Sequence, residues 1–172
     1  ATVNFTPPMF NGGASISSYL AFCRIPASGP PYPQTSGPAP SLVVTGLTNG
    51  TTYECAVNAQ NAAGFSNISA FVNVTPRTVP GLPTSVGVNP RDGRAEFTFG
   101  APMSDGGSPI TGYTVSCNGG AQTATGASSP ITVTGLTNGM PATCSVRATN
   151  AAGDGPNFSV SVTADVQAGT AY

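Results

Sequence analysis

Along most of the chain apolar residues alternate with polar ones at a period of two. Ala1-Val3-Phe5 and Ala95-Phe97-Phe99 each set every second residue on one face, and Tyr19-Ala21-Cys23 and Tyr113-Val115-Cys117 do the same after a Gly-rich turn. In an extended chain successive side chains point to opposite sides, so this period predicts half-buried strands. Leu42-Val44 and Ile131-Val133 mark another strand, the runs Cys55 to Ala59 and Cys144 to Ala148 a longer one, and Val72-Val74 and Val160-Val162 the last. No window carries a helical period. Short strands punctuated by Gly, Pro and Asn at spacings of about 8 to 12 residues predict an all-β chain folded as an antiparallel sandwich.

The pattern occurs twice. Thr45-Gly46-Leu47-Thr48-Asn49-Gly50 returns letter for letter as Thr134-Gly135-Leu136-Thr137-Asn138-Gly139, and Asn61-Ala62-Ala63-Gly64 returns as Asn150-Ala151-Ala152-Gly153. Upstream, Phe5, Pro8, Gly12, Gly13, Ile16 and Tyr19 recur at one constant offset as Phe99, Pro102, Gly106, Gly107, Ile110 and Tyr113. A chain of 172 residues then divides into two like domains, each large enough for a modest core.

Each repeat holds two of the four cysteines, Cys23 with Cys55 and Cys117 with Cys144, without the C-x-x-C spacing or the histidines of a zinc site. Disulfides are the better reading. Pairing within each repeat treats the two copies alike, and it implies an oxidising compartment and an extracellular or cell-surface location.

The motifs Phe-x-x-Pro, Gly-Gly-x-x-Ile-x-x-Tyr and Asn-Ala-Ala-Gly, found in both repeats, and Leu-x-x-Gly-x-x-Tyr from Leu47 to Tyr53, resemble those of the fibronectin type III family. The likeness is to its Thr/Asn/Gly-rich members in bacterial secreted and surface proteins. It covers residues 1 to about 164 and implies two tandem antiparallel β-sandwiches of immunoglobulin-like architecture. The family's strand order implies that Cys23 and Cys117 face Cys55 and Cys144 across neighbouring strands of one sheet, each bridge contributing about 3 kcal/mol. Tyr53 matches the family's tyrosine corner, whose hydroxyl bonds to backbone near Leu47, whereas the second repeat has Ala142 there.

Domain boundaries follow from the same alignment. Residues 1–76 form a first domain lacking its first strand, 77–83 a Pro-rich linker, 84–164 a second domain, and 165–172 a tail. The linker is expected to be a semi-rigid spacer holding the domains in an elongated rod. The second repeat has a strand, Thr84 to Asn89, ahead of Ala95; the first opens at Ala1 already in the equivalent of the Ala95 strand. An unpaired edge is therefore expected along Ala1 to Phe5. In the tail, Val166, Ala168, Thr170 and Tyr172 alternate as one face of a strand would, which makes Asp165 to Tyr172 a candidate donor strand for that edge in a neighbouring subunit. The even alternative is a piece of a longer array whose first strand lies outside these residues.

Charge changes the picture mainly by exclusion. Charged residues make up 6% of the chain against an average near 25%, and there is no Lys, His or Trp. A formal charge of −1 with five scattered Arg residues argues against nucleic acid as a partner. No apolar run approaches the length that crosses a bilayer, so membrane insertion is not expected, and the N-terminus lacks the pattern of a signal peptide.

An enzyme would need a nucleophile, a base and a charge stabiliser, and the candidates reduce to six carboxylates and the tyrosines. Glu54 and Glu96 lie on outward strand positions, Asp92 in a hairpin turn, and Asp105 and Asp154 in Gly-rich loops. A shared calcium ion at Asp105 and Asp154 would fall short of the six or more oxygens calcium takes. Neither enzyme activity nor a cofactor or metal is expected. Arg91-Asp92-Gly93 has the wrong order for an adhesion motif, and the Asn-x-Ser/Thr sites at Asn4, Asn49, Asn67, Asn73 and Asn157 suit chance in so polar a chain.

Between Arg24 and Ser41 the first repeat carries a longer segment with Pro26, Pro30, Pro31, Pro33, Pro38 and Pro40 around Tyr32, expected to be an extended polyproline-like loop. The outward positions of the adjoining sheet are Leu20, Phe22, Ala56 and Phe71 in the first repeat but Thr114, Ser116, Ser145 and Ser159 in the second. Only the first domain has an apolar outer face, to be covered by a second subunit or by this insert. The function that fits is a non-enzymatic module of a bacterial extracellular scaffold, a subunit of a surface filament or stalk associating with itself or with neighbouring domains. The alternative is an adhesive or glycan-contacting accessory of a secreted enzyme.

Overall fold

The computed structural model describes residues 1–165, which fold as two compact units, 1–76 and the remainder from Arg77. In the first unit the strands are β1 (Thr2–Asn4), β2 (Ser18–Arg24), β3 (Gln34–Gly37), β4 (Ser41–Val43), β5 (Tyr53–Asn61), β6 (Gly64–Phe65) and β7 (Val72–Val74). β1 pairs with β4 in a two-stranded sheet; β3, β2, β5 and β6 form the facing sheet in that order, with β7 also on β5. All pairings are antiparallel.

The second unit repeats the plan with one more strand. Its elements are β8 (Thr84–Arg91), β9 (Arg94–Gly100), β10 (Ile110–Cys117), β11 (Gln122–Gly126), β12 (Ile131–Thr134), β13 (Pro141–Asn150), β14 (Gly153–Asp154) and β15 (Phe158–Thr163). One sheet runs β12, β9, β8; the other runs β11, β10, β13, β14, with β15 also on β13. Strand alternation is visible in burial: Tyr19, Ala21 and Cys23 on β2 point inward while Ser18, Leu20, Phe22 and Arg24 do not. Phe97, Val115, Val133 and Val146 fill the second core, and Val86 and Val88 of β8 pack against it. The first core, around Tyr19, Val44, Tyr53 and Cys55, has no such contribution among the described residues.

The segment 24–41 departs from the expected proline-rich loop. Gln34 to Gly37, a proline-free stretch between Pro33 and Pro38, pairs with β2 as a strand, because only there does the insert keep a run of backbone donors. The segment 77–83, expected as a semi-rigid spacer, is more than a spacer. It packs onto the second unit: Thr78 N–H donates to Gly106 O at 2.9 Å, Gly81 N–H donates to Ser104 O at 2.9 Å, and Pro80 and Pro83 are buried.

The shared Thr-Gly-Leu-Thr-Asn-Gly turn closes the same way in both units. Gly50 and Gly139 sit at φ of 79° and 72°, conformations that favour glycine. Each then donates its N–H to the chain just after the last strand, Gly50 to Pro76 O at 2.8 Å and Gly139 to Ala164 O at 2.9 Å. These matched bonds make Pro76 and Ala164 equivalent positions.

Candidate interaction surface

The cysteines are joined within each unit. β2 and β5 set Cys23 directly opposite Cys55, and β10 and β13 set Cys117 opposite Cys144, with Cα–Cα distances of 4.1 and 4.0 Å. Both bridges are buried, which leaves no free thiol for redox chemistry.

Four of the six carboxylates are likewise occupied locally. Glu54 accepts from Arg24 at 3.0 Å; Asp154 pairs with Arg147 at 3.0 Å and accepts from the Thr149 hydroxyl; Asp105 accepts the Gly107 N–H; Asp92 accepts from Asn138. Among the described residues no three acidic, His or Cys side chains form a metal-sized group, and no helix is long and apolar enough to cross a membrane.

On the outer face of the first unit, Tyr32 of the insert stacks on Phe22 with ring centroids 5.8 Å apart, and Phe71 meets Phe22 edge-on at 6.1 Å. The Arg24 guanidinium, held by Glu54, lies 4.1 Å from the Phe71 ring centroid. Ala56 is only 2% exposed. Of the apolar positions read as a subunit contact, Phe22 and Phe71 thus pack against the chain's own Tyr32 and Arg24, Ala56 is buried, and Leu20 is half-buried. Val166, Ala168, Thr170 and Tyr172, the other positions read as an interface, lie outside the described residues.

Two open features distinguish the first unit from the second. The first lies between β1 and β7, a cavity of about 510 Å³ floored by Val3, Phe5, Cys55, Val57 and Val74. In the second unit the equivalent place is filled by β8, which hydrogen-bonds β9 and lies against β15. Among the described residues β1 pairs only with β4, so its other edge presents unpaired backbone groups.

The second feature is at the loop end, where the turn before β2 meets the β5–β6 hairpin. Asn61 Nδ2 donates to Asn11 O at 2.7 Å and Ala14 O at 3.5 Å, and Asn150 Nδ2 makes the matching bonds to Asp105 O at 2.6 Å and Ser108 O at 3.5 Å. Asn150 makes one bond more, to Thr78 O at 2.8 Å. Residues 78–81 thereby cap the second unit and bury Gly106 and Asn150, while their counterparts Gly12 and Asn61 bound an open cavity of about 320 Å³. Phe10 and Phe65 on its rim are 80% and 58% exposed. The signal for this end was present in the recurring Gly-Gly and Asn-Ala-Ala-Gly motifs, but these read equally well as turns.

The fibronectin type III domain model matches residues 1–75 and 81–165, and the chain belongs to this family. A Kelch domain-containing protein of Saccharolobus solfataricus is 35% identical over 79 residues, 46% of this chain and 11% of that protein. The human Fibronectin type-III domain-containing protein 3A is 31% identical over 117 residues, 66% of this chain and 10% of that protein. The chain therefore spans about a tenth of the length of these curated relatives. Among solved structures, the chicken CNTN1 FN1-FN3 domains align with 86% of this chain and 55% of that one at 15% identity and a TM-score of 0.48.

Proposed function

We propose that the chain is a self-associating structural module of an extracellular bacterial scaffold, a building unit of a surface filament or stalk. The observation that carries this reading is the open edge of β1 beside the apolar cavity between β1 and β7, at the place the second unit fills with a strand of its own. An unpaired strand edge next to exposed core is a template for another strand, and filling it from a neighbour is a heterologous contact that extends without closing. The buried disulfide in each unit suits a load-bearing extracellular part. Sedimentation velocity and electron microscopy of the oxidised purified chain are expected to reveal ordered linear assemblies; a chain that stays monomeric at high concentration would overturn the reading.

A glycan-contacting accessory role has one observation in its favour, the exposed rings of Phe10 and Phe65 at the loop end. Calorimetric titration with oligosaccharides separates the two: glycan binding without assembly would favour the accessory role.

A further inference from the structure

In the second unit the loop end is not bare: it holds the segment that follows the last strand of the first. After the matched turn bond at Pro76, residues 78–81 cross Gly106 and Asn150, held through their main chain at Thr78 N, Thr78 O and Gly81 N. The approach is close enough that a Cβ on Gly106 would overlap the Thr78 and Val79 carbonyls. Because the contacts are main-chain, they do not demand the side chains of Thr78 to Gly81.

The first unit carries the same receptor. Gly12 stands for Gly106 with φ of 70° against 75°, Asn61 for Asn150, and Ala63 N–H bonds Asn61 Oδ1 at 2.9 Å as Ala152 N–H bonds Asn150 Oδ1 at 2.8 Å. What differs is occupancy: no described residue takes the place of Thr78 O, and the cavity of about 320 Å³ remains.

We infer that this loop end binds residues 166–172 of a second copy of the chain. The equivalence of Pro76 and Ala164, set by the Gly50 and Gly139 bonds, aligns 166–172 with 78–84. It puts Gly169 at the place of Gly81 and Val166 at the place of Thr78, whose carbonyl is the one Asn150 binds. The segment that follows the last strand of one unit is the segment that caps the next, and 166–172 follows the last strand of the second unit. Asn61 Nδ2 and Phe10 O are then the donor and acceptor offered to the main chain of the bound segment, as Asn150 Nδ2 and Ser104 O are to Thr78 and Gly81. At one point the sites differ: Ser66 replaces Gly155, where a Cβ would lie 2.6 Å from Pro80 O, so the bound segment rides further out past Ser66. Because 166–172 matches the cap and only the first residue of β8, it aligns with the loop end, and the β1 edge that a donor strand would fill stays a separate contact.

This inference rests on the self-association proposed above, and complementation tests it on its own. Two variants of the full chain are compared with the wild type by sedimentation velocity: Phe10→Asp with Phe65→Asp, which blocks the receptor at exposed positions, and deletion of 166–172, which removes the ligand. Each variant alone is expected to assemble less far than the wild type, and an equimolar mixture to regain one tail-to-receptor contact per pair and so form larger species than either variant alone, because one variant still has the tail and the other the receptor. Ser66→Gly, which restores the residue of the second unit, is expected to tighten wild-type association several-fold. A mixture no larger than either variant alone, or a truncated chain that assembles as far as the wild type, would sink the docking site and leave the structural role standing. A wild type that never assembles would remove both. Unchanged melting of the double variant confirms that its fold is intact.

Discussion

The Thr48 amide donates to the Tyr53 hydroxyl at 3.0 Å, and this bond ties the turn before β5 to the first residue of that strand. The second unit has Ala142 in place of Tyr53, yet its turn is also tied down. Asn138 Oδ1 accepts from Gly93 N at 2.8 Å and Asn138 Nδ2 donates to Asp92 Oδ1 at 2.6 Å, which fastens the turn to the β8–β9 hairpin. Asn49, the counterpart of Asn138, has no equivalent hairpin among the described residues, so the first unit depends on the tyrosine. Tyr53→Phe should destabilise the first unit by about 1 kcal/mol and Asn138→Ala the second by about 2 kcal/mol. Denaturant unfolding that resolves the two transitions checks this; a Tyr53→Phe change that moves the second transition instead would contradict it.

Gly106→Ala and Gly12→Ala impose the same left-handed backbone penalty, about 1 kcal/mol, at equivalent positions. Only the first also drives a methyl into Thr78 and Val79. Gly106→Ala is therefore expected to cost clearly more than Gly12→Ala and to release 77–83, making Arg77 a site of rapid tryptic cleavage. Equal losses, with Arg77 still protected, would show that the cap contributes little.

Loss of the Tyr32 ring should uncover Phe22. Tyr32→Ala is expected to lower the melting temperature of the first unit through loss of about 1 kcal/mol of ring packing, while the assembly state stays that of the wild type. A change of assembly without loss of stability would restore the outer face as a subunit contact.

Reduction should affect both units alike. The bridges close loops with separations of 32 and 27 residues, and each is worth about 3.6 kcal/mol on the chain-entropy account. Thermal melting with and without reductant should show two comparable downward shifts; a shift in one unit only would mean that the other bridge is offset by strain in the folded state.

Much of the architecture was legible because period-two alternation and the doubled turn motif leave few alternatives to paired sheets. Phe97, Val115 and Val146 fall inside for that reason alone. Proximity created by the fold was harder to read. Prolines in 77–83 suggest a stiff spacer, and nothing local reveals that Thr78 lies against Gly106 and Asn150, because Thr78 makes both contacts through its main chain and its own side chain carries no trace of them. Likewise Tyr32 reaches Phe22 only because Gln34 to Gly37 takes up a register on β2, which brings the insert back across the sheet.

The position of the two bridges, between adjacent strands, has a mechanical consequence. Under tension an unfolding domain lengthens by the contour it releases, up to about 3.4 Å per residue. The disulfides, spanning 32 and 27 residues, withhold about 110 Å and about 90 Å of that contour. A pulled chain would therefore yield in short steps and retain a covalently closed loop in each domain, with full extension reached only after reduction.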